Sequence, residues 1–425
     1  MPAAAPTVRS ASVTLPADQI HSVVDTRRNW TDRLRFGGSP LAIVTLLCVS
    51  AMGTFVSQGL LYPALPLYLH DVLGTSLGTA GLIMSSQSIS AVVARPWAGR
   101  RLDTKGRRAF LISGPLLTLG TAIGLLTLKS ELAVLGLRML QGVANAMFYG
   151  AATATVADVA PPERRATYLA RYSLFFYLGF ATGPAIAEIL IVQSGFNAVW
   201  WTVIGASAFG ASLALLLPET GGHNPDAVKL PLLSRLFHPD AVGPGIPYFC
   251  AGIGWTAIGA FLALYARHIG MGNSGWLFAA LSATVILTRS LSGNMADRVG
   301  RRAVAVPCSL ACAAGLAVLA AFPVPLMAFV GVMLFAAGYA GLFPTMLAMV
   351  VDKAPPAERG QAMGSFNMFF DVGAPLGGFA TGRLVDVSGY GAGFGTMAGI
   401  GAVGALLLIF RVTDNGLPFR RRPAT

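Results

Sequence analysis

Two stretches decide the fold: Arg95–Arg108, which reads R-P-W-A-G-R-R-L-D-T-K-G-R-R, and Arg289–Arg302, which reads R-S-L-S-G-N-M-A-D-R-V-G-R-R. They agree at Arg95/Arg289, Gly99/Gly293, Asp103/Asp297, Gly106/Gly300, Arg107/Arg301 and Arg108/Arg302, always 194 residues apart. The same offset pairs Asp158 with Asp352, Pro161 with Pro355, Phe175 with Phe369, Gly179 with Gly373 and Gly183 with Gly377. One offset held over so long a stretch means that a single unit has been duplicated.

Hydropathy says what the unit is. The chain is 54% hydrophobic and 11% charged, whereas a soluble chain carries about a quarter charged residues. Its 50 Gly and 26 Pro suit membrane helices, in which close packing and bends re-satisfy the backbone. With a ruler of about 20 apolar residues per span, the first half supplies spans near 41–69, 77–98, 109–128, 132–157, 166–193 and 197–217. The second supplies 244–268, 274–295, 303–322, 324–351, 360–388 and 391–411. The expected fold is therefore all-α and membrane-integral, twelve helices in two parallel six-helix halves with a pore between them. Residues 1–40 read as a disordered tail, 218–243 as the linker between halves, and 412–425 as a basic tail.

Sidedness follows from the basic residues. With both termini inside, most of the 30 Lys and Arg fall in inside loops and tails, and the outside loops hold only Lys129 and Arg267. The net charge of +12 is then a topology signal, and a nucleic-acid partner is excluded as its explanation. No secretory leader precedes the first apolar run near Leu41, so the first span is expected to direct insertion into the inner (plasma) membrane. Cys48, Cys250, Cys308 and Cys312 lie in apolar runs with no metal-site spacing, and no nucleotide loop, catalytic triad or cofactor motif stands out. Enzyme chemistry is not expected.

The repeated loop G-x-x-x-D-x-x-G-R-R resembles the signature of the major facilitator superfamily. Its glycines permit a tight turn, and an Asp at a helix end accepts hydrogen bonds from arginines and helix N-termini. The resemblance implies a secondary transporter of a small-molecule substrate, with Gly99, Asp103, Gly106, Arg107 and Arg108, mirrored by Gly293, Asp297, Gly300 and Arg301, as a gate. The first copy, flanked by five basic residues, is expected to be the gate proper. In span 4, Arg138 with Gln141 and Gly142 is similar to a motif of proton-coupled members, a membrane-embedded charge being a functional candidate by default; snorkelling to the nearer interface is the alternative. Gly179, Gly183 and Pro184 in span 5 resemble the motif of antiporter branches, as Pro63 and Pro66 resemble a span-1 feature of drug exporters.

Glu188 and Asp371, apolar-span carboxylates, are the candidates with Arg138 for proton coupling, since burial raises a carboxyl's proton affinity. Gln58, Tyr62, Asn145, Tyr149, Trp255 and Asn367, with Phe370, are candidates for the substrate cavity. Span 1 has no acid, which departs from the family arrangement that receives a cationic drug there. The expected activity is proton-coupled efflux of a small organic compound by a monomer among lipids. Uptake by a proton symporter, and a sensor or lipid-handling role on the same scaffold, stay open as alternatives.

Overall fold

The computed structural model describes residues 39–161, 164–220, 238–292, 295–354 and 359–411. The two tails, most of the linker, Gly293 and the side chains of Asp103 and Asp297 lie outside the described residues. Helices dominate: α1 Pro40–Asp71, α2 Leu77–Lys105, α3 Arg108–Thr127, α4 Glu131–Val159, α5 Arg165–Ser194 and α6 Phe196–Leu216 in the first half. The second half has α7 Pro239–His268, α8 Gly275–Ser292, a short helix Met295–Val299, α9 Arg301–Ala321 and α10 Pro325–Lys353. A continuous helical stretch, Arg359–Arg411, leaves helical geometry only at Gly389 (φ 80°, ψ 174°), which divides it into α11 (359–388) and α12 (390–411). Among the described residues, 10 helices are long and apolar enough to cross a membrane; the divided stretch counts as one of these, and α8 is a shorter apolar helix.

Side chains and glycines explain where these helices begin and end. Ser39, Ser76 and Ser130 accept hydrogen bonds from the amides of Ala42, Thr79 and Ala133, each satisfying one orphan donor of a first turn. Left-handed glycines end or divide the helices in pairs that obey the repeat: Gly106 and Gly300 have φ of 90° and 100°, Gly195 and Gly389 φ of 76° and 80°. A side chain at any of these would be strained, so the duplication is visible in backbone geometry as well as in sequence.

The boundaries differ from the apolar ruler where polar residues continue a helix. The linker expected to reach 243 ends earlier, because the ring of His238 accepts from the amide of Asp240 and Pro239 sits in the first turn, where its missing N–H costs nothing. Span 2, expected to end at 98, runs as helix through the basic segment to Lys105 and stops at Gly106. Span 8, expected to reach 295, ends at Ser292.

Within each half the glycine motif of the fifth helix packs on the first. A β-carbon on Gly179 would lie 2.6 Å from the carbonyl of Met52, and one on Gly183 2.6 Å from the Cα of Gly59. The repeat does the same with α11 on α7: Gly373 meets Phe249 and Gly377 meets Ile253. Between halves, α2 packs on α11, α5 on α8 and α1 on α7. One apolar core joins α1, α7, α10 and α11 across the halves, whereas a second, around Ile43, Phe110, Phe148 and Tyr172, stays within the first half. Large exposed apolar side chains such as Val93, Leu132, Trp276 and Phe410 form the surface that a bilayer would cover.

Candidate functional site: a cavity between the halves

A cavity of about 760 Å³ lies between the halves, within the usual size range of a small-molecule site. All seven residues expected there, Gln58, Tyr62, Asn145, Tyr149, Trp255, Asn367 and Phe370, line it, as do Arg138 and Asp371. Glu188 does not line it.

The two ends of the bundle differ. At the end away from the signature turns, the halves are in contact. Asp386 of α11 accepts from the backbone amides of Leu77 (3.0 Å) and Gly78 (2.7 Å), so one half caps the first turn of α2 in the other. Glu188 of α5 takes the hydroxyl of Ser274 just ahead of α8, and Arg267 pairs with Asp71. Gly81 and Gly378 bring the backbones of α2 and α11 so close that neither could carry a β-carbon without a clash. Further along the same pair of helices, Ser85 bonds the carbonyl of Ala374 (3.4 Å), and then Arg95 meets Asp371 in an ion pair. Beyond it, Gly99 and Gly364 line the cavity and face open space. The helices α2 and α11 thus diverge like a V towards the signature-turn end.

Both signature turns make the same bonds. Arg107 donates to Asp158 (3.1 Å) and Arg301 to Asp352 (3.3 Å), again 194 residues apart. Arg108 donates to the carbonyl of Leu215, and its mate Arg302 to that of Ile409. Glu219 further accepts from the amide of Arg107 (2.6 Å). These bonds tie the start of α3 to the ends of α4 and α6 in one half, and the start of α9 to the ends of α10 and α12 in the other. The second copy, expected to be the lesser member of the gate, makes the same arginine–aspartate bond as the first.

Arg138 does not snorkel. It is 2% exposed and its Nη1 donates to Gln141 (2.7 Å), which donates in turn to Thr121 (3.1 Å). Arg95 and Arg289, which mark the repeat in the sequence, lie near the ends of apolar helices and both line the cavity. Arg289 lies 4.1 Å over the ring of Tyr177 and 5.8 Å from that of Phe343. Gln58 and Gln87 bond across α1 and α2 (3.1 Å). Aromatic rings form much of the wall, with Trp255 stacked on Tyr339 at 4.5 Å between centroids and Tyr339 sharing a hydroxyl contact with Tyr248 (3.2 Å). Among the described residues no cluster of His, Cys, Asp and Glu could hold a metal ion.

The family model described as "Major Facilitator Superfamily" matches residues 47–242 and 245–424. A relative from Escherichia coli (strain K12), the "Uncharacterized MFS-type transporter YhhS", is 25% identical over 380 residues, covering 88% of this chain and 92% of that protein. Among solved structures, a variant of the nucleoside transporter NupG is 16% identical with a TM-score of 0.73, covering 86% of this chain and 99% of its own. A POT family transporter in complex with 5-aminolevulinic acid is 14% identical with a TM-score of 0.75, covering 89% and 97%. These structural likenesses concern the fold.

Proposed function

This chain belongs to the major facilitator superfamily, a multi-pass membrane transporter and no enzyme, and on that premise we propose that it exports a small organic compound in exchange for protons by alternating access. The observation that carries the reading is the cavity between halves, latched at one end and splayed at the other, with the Arg95–Asp371 pair spanning the halves inside it. The bacterial relative and the distribution of basic residues favour the inner membrane, with both termini and the splayed end facing the cytoplasm.

The exchange then runs as follows. Asp371 is buried, and as a carboxylate it holds Arg95 across α2 and α11. Protonation removes that attraction, leaving α2 and α11 free to rearrange; substrate arriving from the cytoplasm and proton arriving from outside compete for the same cavity. Glu188, at the latched end, is a second coupling candidate through Ser274, and Arg138 keeps the cavity cationic. The signature turns act as gate parts by making each half rigid: Arg107 and Arg301 brace helix ends so that the halves rock as bodies, with Asp103 and Asp297 as further members of the gate. Efflux is favoured over uptake by the antiporter-type motif at Gly179, Gly183 and Pro184, whose close packing of α5 on α1 holds the first half compact.

Vesicles of both orientations test this. A gradient generated by respiration, which is acid inside inverted vesicles, is expected to drive accumulation into inverted vesicles only, and accumulation into right-side-out vesicles only would make the protein an uptake symporter. Asp371→Asn is expected to abolish gradient-driven accumulation while substrate–substrate exchange continues. Full coupling in that variant would remove Asp371 as the proton carrier.

A further inference from the structure

The duplication places Arg95 on α2 and Arg289 on α8 as mates, and it also makes Asp371 on α11 the mate of Tyr177 on α5. The structure honours both relations: Arg95 meets Asp371, and Arg289 meets Tyr177. One side of the cavity is therefore a neutralised ion pair, and the equivalent side is a cation resting on an aromatic face. A ring face attracts a guanidinium but cancels none of its charge.

Among the described lining residues the cavity carries three arginines, Arg95, Arg138 and Arg289, against one carboxylate, Asp371. Two positive charges are left without a counter-charge. Their hydrogen bonding is also incomplete: Nε of Arg138, and Nε and Nη2 of Arg289, are buried without a partner. Buried donors on charged groups are costly unless a ligand completes them. The guanidinium fork matches a carboxylate, phosphate or sulfonate, and the stacked rings around Trp255 and Tyr339 offer a flat apolar wall.

We propose that the substrate is an aromatic organic anion whose acidic group is received by Arg289 and whose ring lies against the aromatic wall. This rests on reading the cavity as the transport site. Tyr177 would then orient Arg289, which is a reason for the repeat to carry Tyr there while its mate is Asp.

The test uses the full chain in lipid nanodiscs and three probes of one shape and different charge: 2-naphthoate, neutral 2-naphthamide and 2-naphthylmethylammonium. Quenching of tryptophan fluorescence reads binding. Naphthoate is expected to bind tightest and the ammonium weakest. Arg289→Gln should weaken naphthoate by about tenfold or more while leaving the amide unchanged, which also shows that the cavity is folded. Should the amide be lost as well, Arg289→Lys decides: naphthoate retained supports the proposal, and naphthoate lost overturns it. Naphthoate binding no tighter than the amide, or indifferent to the loss of Arg289, overturns it outright. Because binding needs neither a proton gradient nor a direction, the two readings fail separately. A probe bound in this order but unmoved by a gradient keeps the charge class and removes the exchange, whereas gradient-driven movement of the ammonium alone does the reverse.

Discussion

Removing the carboxylate of Asp386 should open the end of the bundle that is latched here. Its two oxygens accept from the amides of Leu77 and Gly78 at 3.0 and 2.7 Å, so α11 supplies the second half's cap for a helix of the first. Loss of an N-terminal cap costs about 1 kcal/mol, within roughly 0.5–2, and the helix dipole adds a few tenths at an exposed site. Asp386 is exposed, so screening keeps the total near the middle of that range. The bond joins the two halves, and opening this end forfeits all of it. Asp386→Ala should therefore shift the ratio of open to closed at this end by about fivefold or more. Spin labels at Leu128 and Phe322, exposed residues that end α3 and α9 at that end and are themselves repeat mates, would read the distance by electron double resonance in a cysteine-free background. The longer-distance population should grow, Asp386→Asn should lie between, and higher salt should push the wild type part of the way. An unchanged distribution in Asp386→Ala, or a shift to shorter distances, would refute the latch.

Two further outcomes follow from the packing between and within halves. Gly81→Leu should hold this end open and slow exchange, because a side chain there would run into the backbone of Gly378 and come within 3.0 Å of the ring of Phe261; wild-type exchange kinetics would argue against close approach of α2 and α11 in the working cycle. Arg107→Ala should lower thermal stability by about 1 kcal/mol or less, since it loses the bonds to Asp158 and the carbonyl of Leu102. The pair of Arg301 with Asp352 is 28% and 59% exposed against 13% and 28% for Arg107 and Asp158, so loss of that pair in Arg301→Ala should cost less. An unchanged melting temperature in Arg107→Ala would argue against the brace.

The proposed function rests on an asymmetry inside the symmetry. Duplication supplied two equivalent helix pairs, α2/α11 and α5/α8, each with an arginine at the same position of the repeat. Where the mates differ, Asp371 against Tyr177, one pair holds an ion contact and the other a cation on an aromatic face. In the proposed exchange, proton and substrate act on different members of this matched set.

By itself the sequence determined the two-half architecture and the turns at Gly106 and Gly300. The reason is that these depend on local properties: apolar run length against bilayer thickness, a constant offset, and residues that only glycine tolerates. The polar and aromatic residues it singled out in the apolar spans line the cavity between the halves. Tertiary structure alone decided the partnerships. Asp371 was a carboxylate with no neighbour in sequence until α11 met α2, and Arg289 was a marker of the repeat until α8 met α5. The same holds for Asp386, an unremarked acid near the end of a span, whose oxygens reach amides more than 300 residues earlier in the chain. Which helix faces converge is set by the packing of glycines and rings across the halves, and that geometry is a property of all twelve helices together, written in no one of them.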